Sequence, residues 1–346
     1  MRLLRPIIFF SMALFVCSFL RSEYLCQSTH ILSAKKLPKL SLKDFVHDLA
    51  FSKDGSMLSA AGAGGKISVW STESWNVLFE TNNGSDVIDV EFSHSGKFLF
   101  SASVKNGKSV LSVWDVQAEN QISTYTESDP TKALITSLAV SPDDKTLIVG
   151  LDIGVVKLLD LRNIKEIKVL NPSFLTLDSG ISASSFSPDG SMIVIGTGKG
   201  VSGPKDFGTF YVLNSQNGRE LHRDSTLSGI FDVDFSSDGK VLAVAGIKNQ
   251  RGIGRLVLKL LNTKKWTSKI FESHPVGEGL TFSADGKQLI SAFPNSINSN
   301  IAVFDVERRH IKKTYSTGRP ITALAYSSSN IVAAGSDDGS ISLYRN

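Results

Sequence analysis

The residues of this 346-residue chain that could do chemistry are few and dispersed. Six histidines occur, His30, His47, His94, His222, His274 and His310, and none pairs as His-x-His or His-x-x-x-His, so no spacing aims two imidazoles at one metal. The run "GAGGK" (62–66) ends in a lysine that could meet a phosphate. A phosphate loop, however, needs its first glycine where Ala60 stands and Ser or Thr where Ile67 stands. "FDVDFSSDG" offers Asp232, Asp234 and Asp238, without the one-three-five spacing that wraps calcium. The two cysteines, Cys17 and Cys26, both lie near the N-terminus, leaving the rest without disulfide, thiolate nucleophile or thiolate metal site. No Gly-x-Ser-x-Gly elbow occurs. The residues imply no catalytic constellation, no cofactor and no metal.

The elements that would have to position any site are repeated. "FSKDG" at Phe51 returns as "FSHSG" at Phe92, "VSPDD" at Val140, "FSPDG" at Phe186, "FSSDG" at Phe235, "FSADG" at Phe282 and "YSSSN" at Tyr326. An alternating run such as "VIDVEF" or "IFDVDF" leads into each copy, and period-two alternation of β-branched and aromatic residues reads as a strand. Asp-Gly is a hairpin turn, since glycine tolerates the positive φ such turns need. A second strand, a third ("SVWDV", "VVKLLDL", "IAVFDV") and a weaker fourth follow. Four antiparallel strands repeated every forty-odd residues form a propeller blade, and seven copies predict one all-β, seven-bladed ring.

"SVWDV" around Trp114 and Asp115, and "AAGSDDGSISLYRN" at 333–346, resemble the WD-repeat (G-beta-like) family. The repeats are degenerate: the Gly-His pair is absent and the terminal Trp-Asp survives once. The resemblance implies a rigid, non-catalytic platform that binds other proteins. It also implies a ring closed by an N-terminal strand lent to the last blade, which places part of residues 29–40 on the outside of blade seven. Such closure would cover an open sheet edge. TolB-like propellers share the "SPDG" turn.

Two sets of residues are candidates for binding. Three residues before the motif aromatic stand Asp48, Asp89 and Asp232, where other blades carry Ser137, Ala183, Gly279 and Ala323. On the innermost strand they would line the channel, either to hold a cation or basic peptide or as solvated residues bonded to their neighbours. The loops between second and third strands lengthen at 104–109, 198–208, 247–255 and 294–300. Variable loops on one face are where repeat folds place binding. Lys199, Lys205, Lys248, Arg251 and Arg255 would give that face a basic sector, among acids such as Glu127, Asp129, Asp178, Glu272 and Glu278.

Arg2 and Arg5 precede the uncharged run "IIFFSMALFVCSFL" (7–20), the length of a signal-peptide core and short for a membrane span. Residues 1–28 are therefore expected to be an export signal or an uncleaved anchor, with the propeller over 29–346. Export predicts a periplasmic, extracellular or secretory-lumen location. The net charge of +4 falls by two without that segment, which argues against nucleic-acid binding by bulk charge. The expectation is an exported, monomeric interaction scaffold. The alternatives are a ligand-binding or lactonase-like hydrolytic propeller that uses its channel, and a TolB-like envelope component.

Overall fold

The computed structural model describes residues 37–127, 133–170, 180–198, 208–250, 253–272, 279–294 and 299–346. Strand β1 (Leu40–Ser41) opens the chain order, and blade 1 follows as β2 (Val46–Phe51), β3 (Met57–Gly62), β4 (Lys66–Ser71) and β5 (Val77–Asn82). Blade 2 is β6 (Val87–Phe92), β7 (Phe98–Lys105), β8 (Lys108–Asp115) and β9 (Asn120–Thr126). Blade 3 is β10 (Ile135–Val140), β11 (Thr146–Leu151), β12 (Val156–Asp160) and β13 (Lys165–Leu170). Blade 4 is β14 (Ile181–Phe186), β15 (Met192–Thr197), β16 (Gly208–Asn214) and β17 (Glu220–Leu227). Blade 5 is β18 (Gly229–Phe235), β19 (Val241–Gln250), β20 (Ile253–Asn262) and β21 (Ser268–Glu272). Blade 6 is β22 (Leu280–Phe282), β23 (Gln288–Pro294), β24 (Ser299–Asp305) and β25 (His310–Ser316). Blade 7 is β26 (Ile321–Tyr326), β27 (Ile331–Ser336) and β28 (Ser340–Arg345), completed by β1. Every pairing within a blade is antiparallel, and the first strands of successive blades touch in a closed cycle from β2 through β26 and back to β2.

Closure follows the expected route at a slightly later position. Leu40 pairs with Ile341 and Ser41 with Ser340, so the lent strand begins where the expected segment ends. Residues 29–36 lie outside the described residues. Pro38 has no N–H to give a ladder, which fits a pairing that starts only beyond it. Leu40 and Leu42 are buried in the seam between blades 7 and 1, with Leu37 packed alongside.

The core is divided among the seams. Each of the seven buried clusters joins adjacent blades, as Phe79 of blade 1 joins Trp114 of blade 2 and Tyr315 of blade 6 joins Tyr344 of blade 7. Strands two and three are buried on both faces, and side chains from one blade fill the gaps of the next. No blade owns a complete core, so hydrophobic burial stabilises the ring only as a whole.

The repeated motif is a structural turn. In blade 1 Ser52 Oγ donates to Asp54 Oδ1 at 2.6 Å and accepts the Met57 N–H at 2.9 Å. The same pair forms at Ser187–Asp189, Ser236–Asp238 and Ser283–Asp285. Gly55 closes the turn at φ 75°. The "GAGGK" run is a tight 3-10 turn over Ala63–Gly65 running into β4, and Lys66 pairs with Glu80 at 2.9 Å.

Two expected loops are largely strand, and so are the described ends of a third. Residues 104–109 are the ends of β7 and β8 around an Asn106-Gly107 turn, with Asn106 at φ 54°. Residues 247–250 and 253–255 continue β19 and β20, while 294, 299 and 300 continue β23 and β24. Polar side chains on both faces suggest a loop in sequence. A hairpin that extends beyond its sheet also carries them, because nothing covers it.

Candidate functional site at the blade seams

An inner strand has one edge paired within its own blade and one turned to the channel, whose N–H groups need acceptors. The recurrent aspartates supply them across the seam. Asp48 Oδ2 accepts the Val90 N–H of blade 2 at 2.9 Å, and Asp89 Oδ2 accepts the Leu138 N–H of blade 3 at 2.9 Å. Asp232 Oδ2 accepts the Leu280 N–H of blade 6 at 2.7 Å. All three acceptances have one geometry: the residue three before the motif aromatic caps the N–H two before it in the following blade. Asp234 adds a second clasp at the blade 5–6 seam, taking the Phe282 N–H at 2.9 Å.

The other seams use a different device. Opposite the aspartates stand Ala61, Ala102 and Ala245, but opposite Ser137, Ala183 and Ala323 stand Gly150, Gly196 and Gly335. A Cβ on any of these glycines would lie 2.5–2.6 Å from a methyl of Ile181, Ile230 or Val46 in the next blade. The blades close up there by direct contact. Thr136 Oγ1 donates to the Ile181 carbonyl at 2.6 Å, and Thr322 Oγ1 to the Val46 carbonyl at 2.6 Å. Ser137 and Ser184 share a 2.7 Å hydrogen bond.

The clasps bring five carboxyl groups together. Glu91 and Asp234 sit two residues after Asp89 and Asp232, so period two turns them the same way. Sequence reasoning placed only the first position in the channel, weighing Asp234 for a calcium loop alone and passing over Glu91; applying the same period-two step to Asp89 and Asp232 would have found both. Burial pushes Asp48 up to about 7, with Asp232 adding repulsion, and raises Asp89 well above the usual carboxylate range, with Asp48 and Glu91 adding to the shift. Burial and the charges of Asp48 and Asp234 push Glu91 up to about 8. Asp232 rises to about 6 and Asp234 to about 7, both chiefly by burial. Lys53, exposed at the turn end of blade 1, is the cation that offsets Glu91 and Asp234. Chemically the group can share protons over the neutral range and attract a cation. Among the described residues no group of three His, Cys, Asp or Glu is arranged to hold a metal.

The basic sector is described only in part. Lys199, Lys205 and Arg251 lie outside the described residues. Lys248 and Arg255 face each other across the β19–β20 hairpin. Of the expected surface acids, Glu127 is instead buried at 3% exposure, held by Lys157 Nζ at 2.8 Å across the blade 2–3 seam. Lys259, at the equivalent place in blade 5, is likewise buried against Asp224 and Thr226 of blade 4.

The WD domain, G-beta repeat family matches residues 36–71 and 309–345. Each match starts near the outer strand of one blade and ends on the third strand of the next, so the sequence unit straddles a seam. WD repeat-containing protein 70 of Bos taurus is 24% identical over 163 residues, covering 44% of this chain and 24% of that protein; the chain thus spans about a quarter of that relative's length. Two solved structures share the fold at 16% identity and TM-score 0.75: a Kuenenia stuttgartiensis hydrazine synthase, with 94% of this chain and 99% of that one covered, and a chain of the mitotic checkpoint complex, with 94% and 96% covered. The family match at both ends, the seven four-stranded blades and the lent closing strand agree: the chain carries WD-repeat matches in its two end blades and is built as a seven-bladed β-propeller.

Proposed function

We propose that this propeller is a non-catalytic scaffold that binds other proteins through the ends of its blades. The supporting observation is the blade 5 hairpin. Among the described residues, pairing of β19 with β18 ends at Ile247 and pairing of β20 with β21 ends at Val257. Lys248 and Arg255 are therefore carried past the sheet on a two-stranded projection. With Lys199, Lys205 and Arg251, which the sequence assigns to the same end of the ring, they form the basic sector of a partner surface. Acidic protein partners fit it by charge.

The reading extends to location: residues 1–28 direct the chain to export and are cleaved or kept as an anchor. Among the described residues no helix is long and apolar enough to cross a membrane. The channel is the less favoured site, because four of its five carboxyl groups already accept backbone N–H groups.

The test is crosslinking followed by affinity purification, comparing the natural chain with a Lys248→Gln/Arg251→Gln/Arg255→Gln variant. Loss of specific partners with unchanged thermal unfolding is expected. An identical partner set would sink the assignment of the hairpin. Mass spectrometry of the mature N-terminus decides between cleavage and anchoring.

A further inference from the structure

The outer wall of the ring is not uniform. Among the described residues the exposed large hydrophobics are Val77, Leu78, Ile122, Ile167 and Val169, and all lie on β5, β9 and β13, the outer strands of three consecutive blades. The outer strands of blades 1, 3, 4, 5 and 6 nevertheless all carry charge, as Glu80 on β5, Lys168 on β13, Arg223 on β17, Lys269 on β21 and Lys313 on β25. Charged side chains, lysine above all, are how native proteins keep an open strand edge from pairing with another chain.

Blade 2 stands at the centre of the apolar sector, and its outer strand lacks that protection. β9 reads Asn-Gln-Ile-Ser-Thr-Tyr-Thr, seven residues without a charge or a proline. Among outer strands longer than two residues it is the uncharged one. Its one irregularity is a bulge at its start: Gln121 pairs with Trp114 and Ser123 with Val113, leaving Ile122 between them, half exposed at 50%. From Ser123 to Thr126 the ladder to β8 is regular, so the opposite edge presents backbone N–H and C=O groups that no described strand pairs with.

We propose that β9 is a homodimerisation edge, pairing antiparallel with β9 of a second copy about a two-fold axis. A two-fold interface must be complementary to itself, and like charges opposite one another weaken a strand pair. An uncharged strand meets both demands in any register. Its serine, threonines and isoleucine are favourable cross-strand partners. This replaces the monomer expected from sequence and does not depend on the basic hairpin of blade 5.

The experiment is sedimentation of the full chain in mild detergent at micromolar concentration, with Thr124→Lys and Thr124→Glu variants. Thr124 is exposed mid-strand, so neither substitution disturbs a seam, and unchanged circular dichroism checks the fold. The natural chain is expected at twice its monomer mass. Each variant alone should dissociate at least about tenfold more readily, and an equal mixture of the two should recover the dimer. A monomeric natural chain would overturn the proposal. So would a Thr124→Lys variant that stays dimeric, which would place association elsewhere, or a mixture that fails to recover.

Discussion

The Asp48 carboxylate accepts the backbone N–H of Val90, one blade further round the ring, at 2.9 Å. Asp89 then does for Leu138 what Asp48 does for Val90. The contact is an interaction between a side chain and an unpaired strand edge, and it explains an acid recurring on the innermost strand. Where the acid is missing, glycine lets the blades meet directly.

Asp89→Ala removes the acceptor and leaves the Leu138 N–H unpaired. A buried unpaired donor costs about 1–3 kcal/mol, and the loss should appear as a lower denaturation midpoint with an unchanged slope. Asp89→Asn keeps a carbonyl at the same place and should cost much less. Equal losses in the two variants would show that charge, and not the hydrogen bond, joins blades 2 and 3.

Glu91 leads to a pH prediction. Its folded-state pKa of about 8 stands above its ordinary value of 4.5, so the native state holds an extra proton between the two. Its contribution to stability is full below about 4.5 and is lost as pH rises through about 8. Half-buried His47, His94 and His222, shifted downward by desolvation, act oppositely, weakening the fold as pH falls through the histidine range. Comparing Glu91→Gln with the natural chain cancels them. The variant should match the natural chain at pH 4 and exceed it at pH 9 by roughly 1 kcal/mol, less than the shift alone gives because a partly exposed charge is screened by solvent. Parallel melting curves across that range would refute the assignment.

Blade number, strand order and the turn were legible in the sequence because each repeats: one alternating run is ambiguous, but seven in register are not. Asp48, Asp89 and Asp232 were legible as a recurring position and illegible as clasps, since their partners are backbone groups that no side-chain pattern marks. Glu91 and Asp234 share those strands, but occur in two blades and so make a fainter pattern. Glu127 looked like a surface acid because its partner, Lys157, is thirty residues away in the neighbouring blade. The closing strand was legible only as a segment and not residue by residue, since a two-residue pairing leaves no periodicity to read.

Gly196 tests the second seam device. An added Cβ would stand 2.5 Å from Ile230 Cγ2 and 3.1 Å from Ile230 Cβ, and a β-branched side chain held between two blades has little room to turn. Gly196→Ala should destabilise by about 1–3 kcal/mol through overpacking. Pairing it with Ile230→Ala should recover part of that loss, a coupling that a double-mutant cycle reads directly. Additive losses would mean that the glycine serves backbone conformation and not the seam.

Asp144 occupies the place that glycine takes in five other motif turns with their own aspartate or serine pair, at φ 55°. Its carboxylate accepts the N–H groups of His94 at 2.6 Å and Ser95 at 2.8 Å, both in the turn of blade 2. Two effects oppose each other in Asp144→Gly. Glycine relieves the left-handed conformation, worth about 1 kcal/mol, but it removes two charge-assisted hydrogen bonds, worth about 1.5–3 kcal/mol each when well formed. These turns are partly exposed, so the lower end applies and the net loss should be about 1–2 kcal/mol. Asp144→Ala loses the bonds and gains no conformational relief, so it should be worse than Asp144→Gly by about 1 kcal/mol. The natural chain, Asp144→Gly and Asp144→Ala should therefore melt in descending order, and an Asp144→Gly variant more stable than the natural chain would show that the turn, and not the tie between blades 2 and 3, is what this residue controls.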